Sequence, residues 1–471
     1  MKKFTIDTLC FIVLFSALSS CSSPAGSNPS VLSIEITPST MFAGKGRIMQ
    51  LSAVVNVTGG ASQDVEWNLD NEGGTGIGKV TLDPTGILEI AGDANVGTAI
   101  IRATSLYDST KYATCTVEII DPGNGTLGNP FKIYDTETLQ HVGKPATGIY
   151  SNYTLSAYYE QIQDIDMTTI QNFTPIGDYN NDTRFKGRYD GNNHIIKDLT
   201  ITSTNVSVGL FGSIDGISPN IGEIKNLGLI DCRIEGNEFS NTGGIVGVSY
   251  TGKVLNCFVT GNISGKYITG GLVGFDTDGT IENSFFSGRI SGLGDIGGIA
   301  GRLGNGFCTI QNCYVIGIIE YDHTLSGSYI GGLVGINNGK IQNCFTMCIV
   351  LNQGSSGGLV SNNYTGTVKN CVALNQSITG SGTNIGRIAG IENSYSTLSN
   401  NHALASMTLD GSVLSPGTGT AGNKHGADIP TDAQKDQGWW KDARANWTPW
   451  DFSTIWVWDD NAKRPKLWYE H

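Results

Sequence analysis

The sequence predicts an all-β chain, a β-sandwich followed by a right-handed parallel β-helix with a tryptophan-rich C-terminal cap. Three observations predict it. One phrase recurs five times between residues 243 and 371, residues 31–120 read as short alternating strands, and seven of the eight tryptophans fall after residue 438. A repeat of this period is the mark of a solenoid, in which each unit buries its apolar face only against its neighbours.

Residues 1–20 stand apart from the fold. Lys2 and Lys3 precede an apolar run, LCFIVLFSAL (9–18), that ends in LSSC (18–21). This is the pattern of a bacterial lipoprotein signal, with cleavage leaving Cys21 as a lipidated first residue. The run is too short for a spanning helix of about 20 residues. Residues 21–30 then form the lipidated cysteine and a short tether, SSPAGSNPS, and an ordinary secretory cleavage near Ala25 is the alternative.

Residues 31–120 carry VLSIEITP, RIMQLSAVV, DVEWNL, VTLDPTGILEIA, GTAIIRATS and YATCTVEII, six or seven strands at sandwich spacing. Residues 121–130, DPGNGTLGNP, read as a linker, residues 131–405 as the β-helix and residues 406–471 as the cap.

The repeats read GGIVGVSYTGKVLNC (243–257), GGLVGFDTDGTIENS (270–284), GGIAGRLGNGFCTIQNC (297–313), GGLVGINNGKIQNC (331–344) and GGLVSNNYTGTVKNC (357–371). Gly-Gly onsets step by 27, 27, 34 and 26 residues, and NIGRIAGIENS (384–394) reads as a degenerate sixth copy. Each unit offers three strand-like runs, for example GGLVG, TIENSFF and GRISG, divided by turn residues, and none shows helical spacing. Asn226, Asn256, Asn283, Asn312, Asn343, Asn370 and Asn393 form a column, and asparagine tolerates the left-handed conformation a corner demands. These seven coils, about 4.8 Å apart, predict a core on the order of 30 Å long. The residues after the asparagines include Cys257, Cys313, Cys344 and Cys371, which stacked parallel strands hold out of disulfide reach, so they are expected as buried thiols.

These phrases resemble the GLUG motif of bacterial surface proteins, over roughly residues 126–405. NPFKIYDTETLQHV (129–142), FKGRYDGNNHIIKDLTI (185–201) and IGEIKNLGL (221–229) are similar to the opening coils of such proteins. The order of strands in 31–120 resembles a group-2 bacterial immunoglobulin-like domain, with Trp67 in the core tryptophan position and Asp83-Pro84-Thr85-Gly86 as a hairpin turn. The resemblance implies a spacer that holds a working end away from a membrane. The tail DFSTIWVWDDNAKRPKLWY (451–469) resembles the closing strands of GLUG proteins, which implies tryptophans packed over the last coil.

Two chemical readings compete for the tail. Trp439, Trp440, Trp447 and Trp450 are candidate glycan contacts, because an indole covers the apolar face of a pyranose and Asp442, Arg444, Asp451, Asp459 and Asp460 stand near to take its hydroxyls. The other reading is that they close an open solenoid end. The most enzyme-like phrase is Arg188-Tyr189-Asp190-Gly191-Asn192-Asn193-His194, which equally ends one strand and begins the next. Asp276-Thr277-Asp278-Gly279 lacks the length and terminal glutamate of a calcium loop. Neither Cys308/Cys313 nor Cys344/Cys348 has zinc spacing with histidine partners, and no HExxH, GxSxG or phosphate-loop motif occurs. No catalytic residue, cofactor or metal is therefore assigned.

A net charge of −13 disfavours nucleic acid as a partner. The signal, spacer and solenoid together point to a non-catalytic lipoprotein of a Gram-negative outer membrane, and the GLUG resemblance implies an adhesin facing outward. Its β-helix would bind a host or dietary glycan, or an extracellular protein, with the membrane contacted through the N-terminal lipid alone. A polysaccharide lyase or glycoside hydrolase on the same β-helix, and a structural subunit of a surface assembly, are the alternatives.

Overall fold

The computed structural model describes residues 28–70, 78–179, 183–216, 222–322, 328–430, 432–443 and 447–470. The signal segment, Cys21 and Arg444 lie outside the described residues. The described residues form two compact units, one up to residue 123 with 147–149 and one of residues 124–146 with those from 150 onward. The expected linker is therefore only half a linker: its residues 124–130 belong to the second unit, where the Tyr158 amide donates to the Gly125 carbonyl at 3.0 Å.

In the first unit, nine strands among the described residues, from Ser30–Ile36 to Tyr112–Ile120, form an immunoglobulin-like sandwich. Alternation drives it: the long strands Gly97–Ser105 and Tyr112–Ile120 send Ala99, Ile101, Ala103, Cys115, Val117 and Ile119 into one apolar core. RIMQLSAVV divides into Ile48–Gln50 and Ala53–Thr58, which belong to different sheets. The hairpin Val80–Leu82 to Ile87–Ile90 turns where Asp83 Oδ1 accepts from the Thr85 and Ile87 amides at 2.8 and 2.9 Å. Trp67 is only half-buried and packs on the rim of the core, with its ring against Gly86.

The second unit is a parallel β-helix. One coil consists of Ile268–Gly270, Val273–Asp276, Thr280–Glu282 and Phe285–Gly292, each paired in parallel with its counterpart in the next coil. There are thus four strands per coil, not the three runs read from sequence. Asn283 breaks TIENSFF at a corner with φ 48°, and GGLVG is split into two strands by its own corner. FF and GRISG instead join as one eight-residue strand. The resulting sheets have ten, fourteen, seven and seven strands. Ten strands at about 4.8 Å spacing make the longest uninterrupted ladder on the order of 43 Å.

The Gly-Gly phrase has a steric cause. A Cβ on Gly270 would strike the Val273 carbonyl across the tight corner, and one on Gly271 would strike the Phe286 ring inside the coil. At the last full coil the second position holds Arg387 instead. Its fully buried guanidinium donates to the carbonyls of His425, Leu404 and Gly426 and pairs with Asp428 at 2.7 Å. Residues 421–429 add a partial coil there, with Ala427–Ile429 paired to His402–Leu404. At the other end the short helix Thr136–His141 starts from a capping box made by Asp135 and Thr138.

Candidate functional site

The corner after the strand column of Thr280–Glu282 carries a ladder of side-chain amides. Asn256 donates to Asn226 at 2.9 Å, Asn283 to Asn256 at 3.1 Å and Asn312 to Asn283 at 3.0 Å. Asn343 donates to Asn312 at 3.3 Å and Asn370 to Asn343 at 2.7 Å. All six have φ between 48° and 56°, the left-handed corner that asparagine accepts. The ladder starts on a carboxylate, since Asn226 donates to Asp190 Oδ1 at 2.9 Å, and ends in the tail, where Asn370 exchanges two bonds with the Thr448 backbone.

Asn393 is not in this column, which corrects the expected seventh member. It follows the four-residue strand Ala389–Glu392 one corner earlier and donates to Asn362 Oδ1 at 2.9 Å. The seventh corner residue is Asn400, φ 55°, after Thr397–Ser399.

The neighbouring column explains why cysteine, serine and asparagine interchange. Its side chain must accept the amide of the coil below: Cys257 N donates to Ser284 Oγ at 3.0 Å, Cys313 N to Cys344 Sγ at 3.4 Å and Cys371 N to Asn401 Oδ1 at 3.0 Å. The thiols of Cys257, Cys313, Cys344 and Cys371 also donate to the carbonyl two residues back. The eight cysteines of the described residues are free and buried. Burial pushes the Cys257 thiol up to about 12, so it stays protonated and inert.

The enzyme-like phrase is taken up by such contacts. Tyr189 is buried and donates to Gln161, while Asp190 receives Asn226 and the Asn192 amide and pairs with Lys225 at 3.0 Å. His194 lies 3.2 Å from Asp164. Asn192 and Asn193 are left-handed turn residues, with φ 50° and 65°. The chemistry of this corner is to begin a ladder.

Asp276 is fully buried, accepts the Gly279 amide at 2.9 Å and has no partner for Oδ2. Burial pushes its carboxyl up to about 7. A sealed acid that holds its proton up to about pH 7 is a poor calcium ligand, and among the described residues no three His, Cys, Asp or Glu side chains converge as a metal site.

The candidate glycan contacts are corrected as well. Trp440, Trp447 and Trp450 are buried, at 0, 5 and 3 % exposure, and cannot stack on a sugar; Trp439 is half-buried among them. What they cover is an outward-facing aromatic stack on the longest strand of each coil. Phe258, Phe285, Tyr314 and Phe345 stack with centroids 5.0, 4.7 and 4.8 Å apart. Trp439 and Trp447 meet His402, Trp450 and Trp456 meet Phe345, and the Tyr469 hydroxyl reaches the carbonyls of Cys257 and Asn283. The tail therefore caps the solenoid along its flank, running back over several coils, while Arg387 and residues 421–429 close the end.

The fold and this site define a class: a parallel β-helix with an N-terminal immunoglobulin-like sandwich. Among solved structures the chain is similar to a candidate immunoglobulin A1 protease from Bacteroides ovatus, with TM-score 0.51 and 21% identity over 74% of this chain and 95% of that one. It also resembles a second structure described as an IgA1 protease, at TM-score 0.45 and 17% identity, covering 69% of this chain and 25% of that one. Among curated proteins, halomucin of Haloquadratum walsbyi is 25% identical over 245 residues. That match takes in 50% of this chain and spans only 3% of halomucin's length. No protein-family profile matches the chain.

Proposed function

We propose that this protein is a non-catalytic, outward-facing lipoprotein of a Gram-negative outer membrane, whose β-helix binds a glycan or an extracellular protein. Cys21 carries the lipid, the sandwich is a bacterial immunoglobulin-like spacer, and the solenoid is of the GLUG type. The observation that carries the reading is the occupation of Arg188–His194. Its tyrosine is buried, and its aspartate and histidine are held by Asn226, Lys225 and Asp164, so the most enzyme-like cluster has a structural task. The long lateral ladder favours binding for a second reason: its outer polar side chains pair along the axis, as Arg188–Glu223, Lys225–Asp190 and Gln342–Gln311 do, which makes a stiff surface rather than a converging pocket.

The test is to present the full-length protein on intact cells. It should be cleaved by added protease without lysis, and it should hold cells to an arrayed glycan or matrix protein. Protection from protease, or adhesion equal to cells lacking the protein, contradicts the reading. A lyase or hydrolase would be recognised by product release that Asp190→Asn abolishes.

A further inference from the structure

We propose that the turn edge between the four-residue and three-residue strands is the binding site for an extended, uncharged polysaccharide lying parallel to the solenoid axis. The proposal rests on the binding function above and names its ligand class and place.

This edge is continuous. Each turn is pinned to the one below by a backbone bond: Thr277 to Ser249 at 2.8 Å, Gly304 to Asp276 at 2.7 Å, Tyr364 to Asn337 at 3.0 Å and Asn393 to Asn363 at 3.2 Å. Between them the Asn338 side chain holds Leu303 at 2.9 Å and receives the Thr365 hydroxyl at 3.0 Å. The turns thus advance one coil at a time, about 4.8 Å each.

Three large rings stand out from this edge: Phe307, Tyr364 and Tyr395, at 78, 56 and 85 % exposure. Isolated exposed aromatics are ordinary surface features, but these share one edge and one direction of travel. The turns that carry Phe307 and Tyr364 are two coils apart, an axial step of roughly 10 Å, and the turn of Tyr395 follows one coil later. An extended pyranose chain advances by nearly one coil rise per sugar, so rings two coils apart meet alternate sugars, which in a two-fold chain turn the same face to the protein. Toward the N-terminus the line ends at the Tyr179–Tyr250 pair, stacked at 6.0 Å, where the Arg184 guanidinium lies 3.5 Å over the Tyr250 ring and covers it.

The flanking groups suit hydroxyls rather than charges. Thr280, Thr309, Thr367 and Thr397 occupy one register column on the adjoining outer face, broken by Lys340. In the turn segments 277–278, 304–307, 338–339, 364–366 and 393–396 Asp278 is the one charged residue. A chain of net charge −13 repels an anionic polymer, and turns with a single carboxylate offer little to a cationic one, which favours a neutral one. The indole-like use of these rings is to cover the apolar C–H face of a sugar while amides and threonines take its edges.

The experiment is affinity gel electrophoresis of the full-length protein in detergent, against linear mannan, mixed-linkage β-glucan and alginate, with Phe307→Ala, Tyr364→Ala and the triple variant with Tyr395→Ala. Phe239→Ala, at the opposite corner and 72 % exposed, is the control. A neutral polymer should retard the protein, each single variant should weaken this about tenfold, a shift of about 1.4 kcal/mol, and the control should not. Melting should be unchanged, because the rings are exposed. Retardation that survives the triple variant overturns this site while leaving glycan binding standing. Preference for alginate, or loss of a protein partner instead of a glycan in the triple variant, overturns the ligand class. Failure to bind any polymer or arrayed protein overturns this site and the proposed function together.

Discussion

Replacing Asn312 by alanine should destabilise its coil by about 2–5 kcal/mol, far more than the same change at Asn393. Asn312 donates to Asn283 at 3.0 Å and accepts from Asn343 at 3.3 Å, and it holds φ 54° in a buried corner. Two side-chain bonds at about 0.5–1.5 kcal/mol each contribute about 1–3 kcal/mol. Alanine in the left-handed region costs roughly 1–2 kcal/mol more. Asn393 looks the same in sequence, yet it makes one side-chain bond to Asn362 and one weaker contact to the Asn363 carbonyl, with no positive φ. Its loss should cost about 0.5–1.5 kcal/mol. Native-state hydrogen exchange of the full-length protein measures both, read at the Asn312 and Tyr314 amides and at the Asn393 and Thr397 amides. The effect at Asn312 should spread to adjacent coils, since each coil is its neighbours' only cover. Equal costs at the two positions, or an Asn312→Ala coil that opens no more readily than wild type, would refute the ladder as a source of stability.

Ending the chain at Pro430 should cause aggregation and loss of a cooperative melt, because removing Trp440, Trp447, Trp450 and Trp456 bares the Phe258–Phe345 stack, and each buried aromatic is worth about 3–5 kcal/mol; a monomer with unchanged melting would count against the flank cover. Asp276 titrates at about 7 when folded, against 3.8 for an aspartate free in water, so its folded form is favoured fully below about 4, and that advantage is lost as pH rises through 7. Wild type should therefore lose up to roughly 4 kcal/mol relative to Asp276→Asn between pH 4 and 8, measured by urea midpoints; parallel profiles would exclude a buried neutral acid. If lipid on Cys21 is the anchor, as proposed, Cys21→Ala should move the protein from the membrane to the soluble fraction; continued partition with membranes once the signal is removed would exclude lipidation at Cys21.

The solenoid was legible because its two corner rules are local. Gly270 and Gly271 are required by contacts within their own and the adjacent coil, and an asparagine at positive φ recurs at the end of the strand column that holds Thr280–Glu282. The failures came where the deciding partner is distant in sequence. IENS at 391–394 imitates TIENS because both corners favour a small polar residue. Only the pairing of Thr397–Ser399 with Thr367–Lys369 shows that Asn400 takes the corner. Arg387 breaks the Gly-Gly phrase in plain view, but its meaning depends on carbonyls at Leu404, His425 and Gly426. The tryptophans were recognisable as a cover or a platform. Which it is depends on Phe258, Phe285, Tyr314 and Phe345, each the first residue of its strand and turned outward. The capping pair Asp135 and Thr138 was a local signal for a short helix that strand-like texture on either side concealed.

Binding against catalysis is decided most directly by incubating the full-length protein with the polysaccharide or protein that retains it, then measuring bound fraction and released ends or fragments together. The account predicts saturable binding with no product above a protein-free control, and the same result for Asp190→Asn once its fold is verified. Product that accumulates in proportion to wild-type protein, and disappears with Asp190→Asn while binding remains, would contradict it.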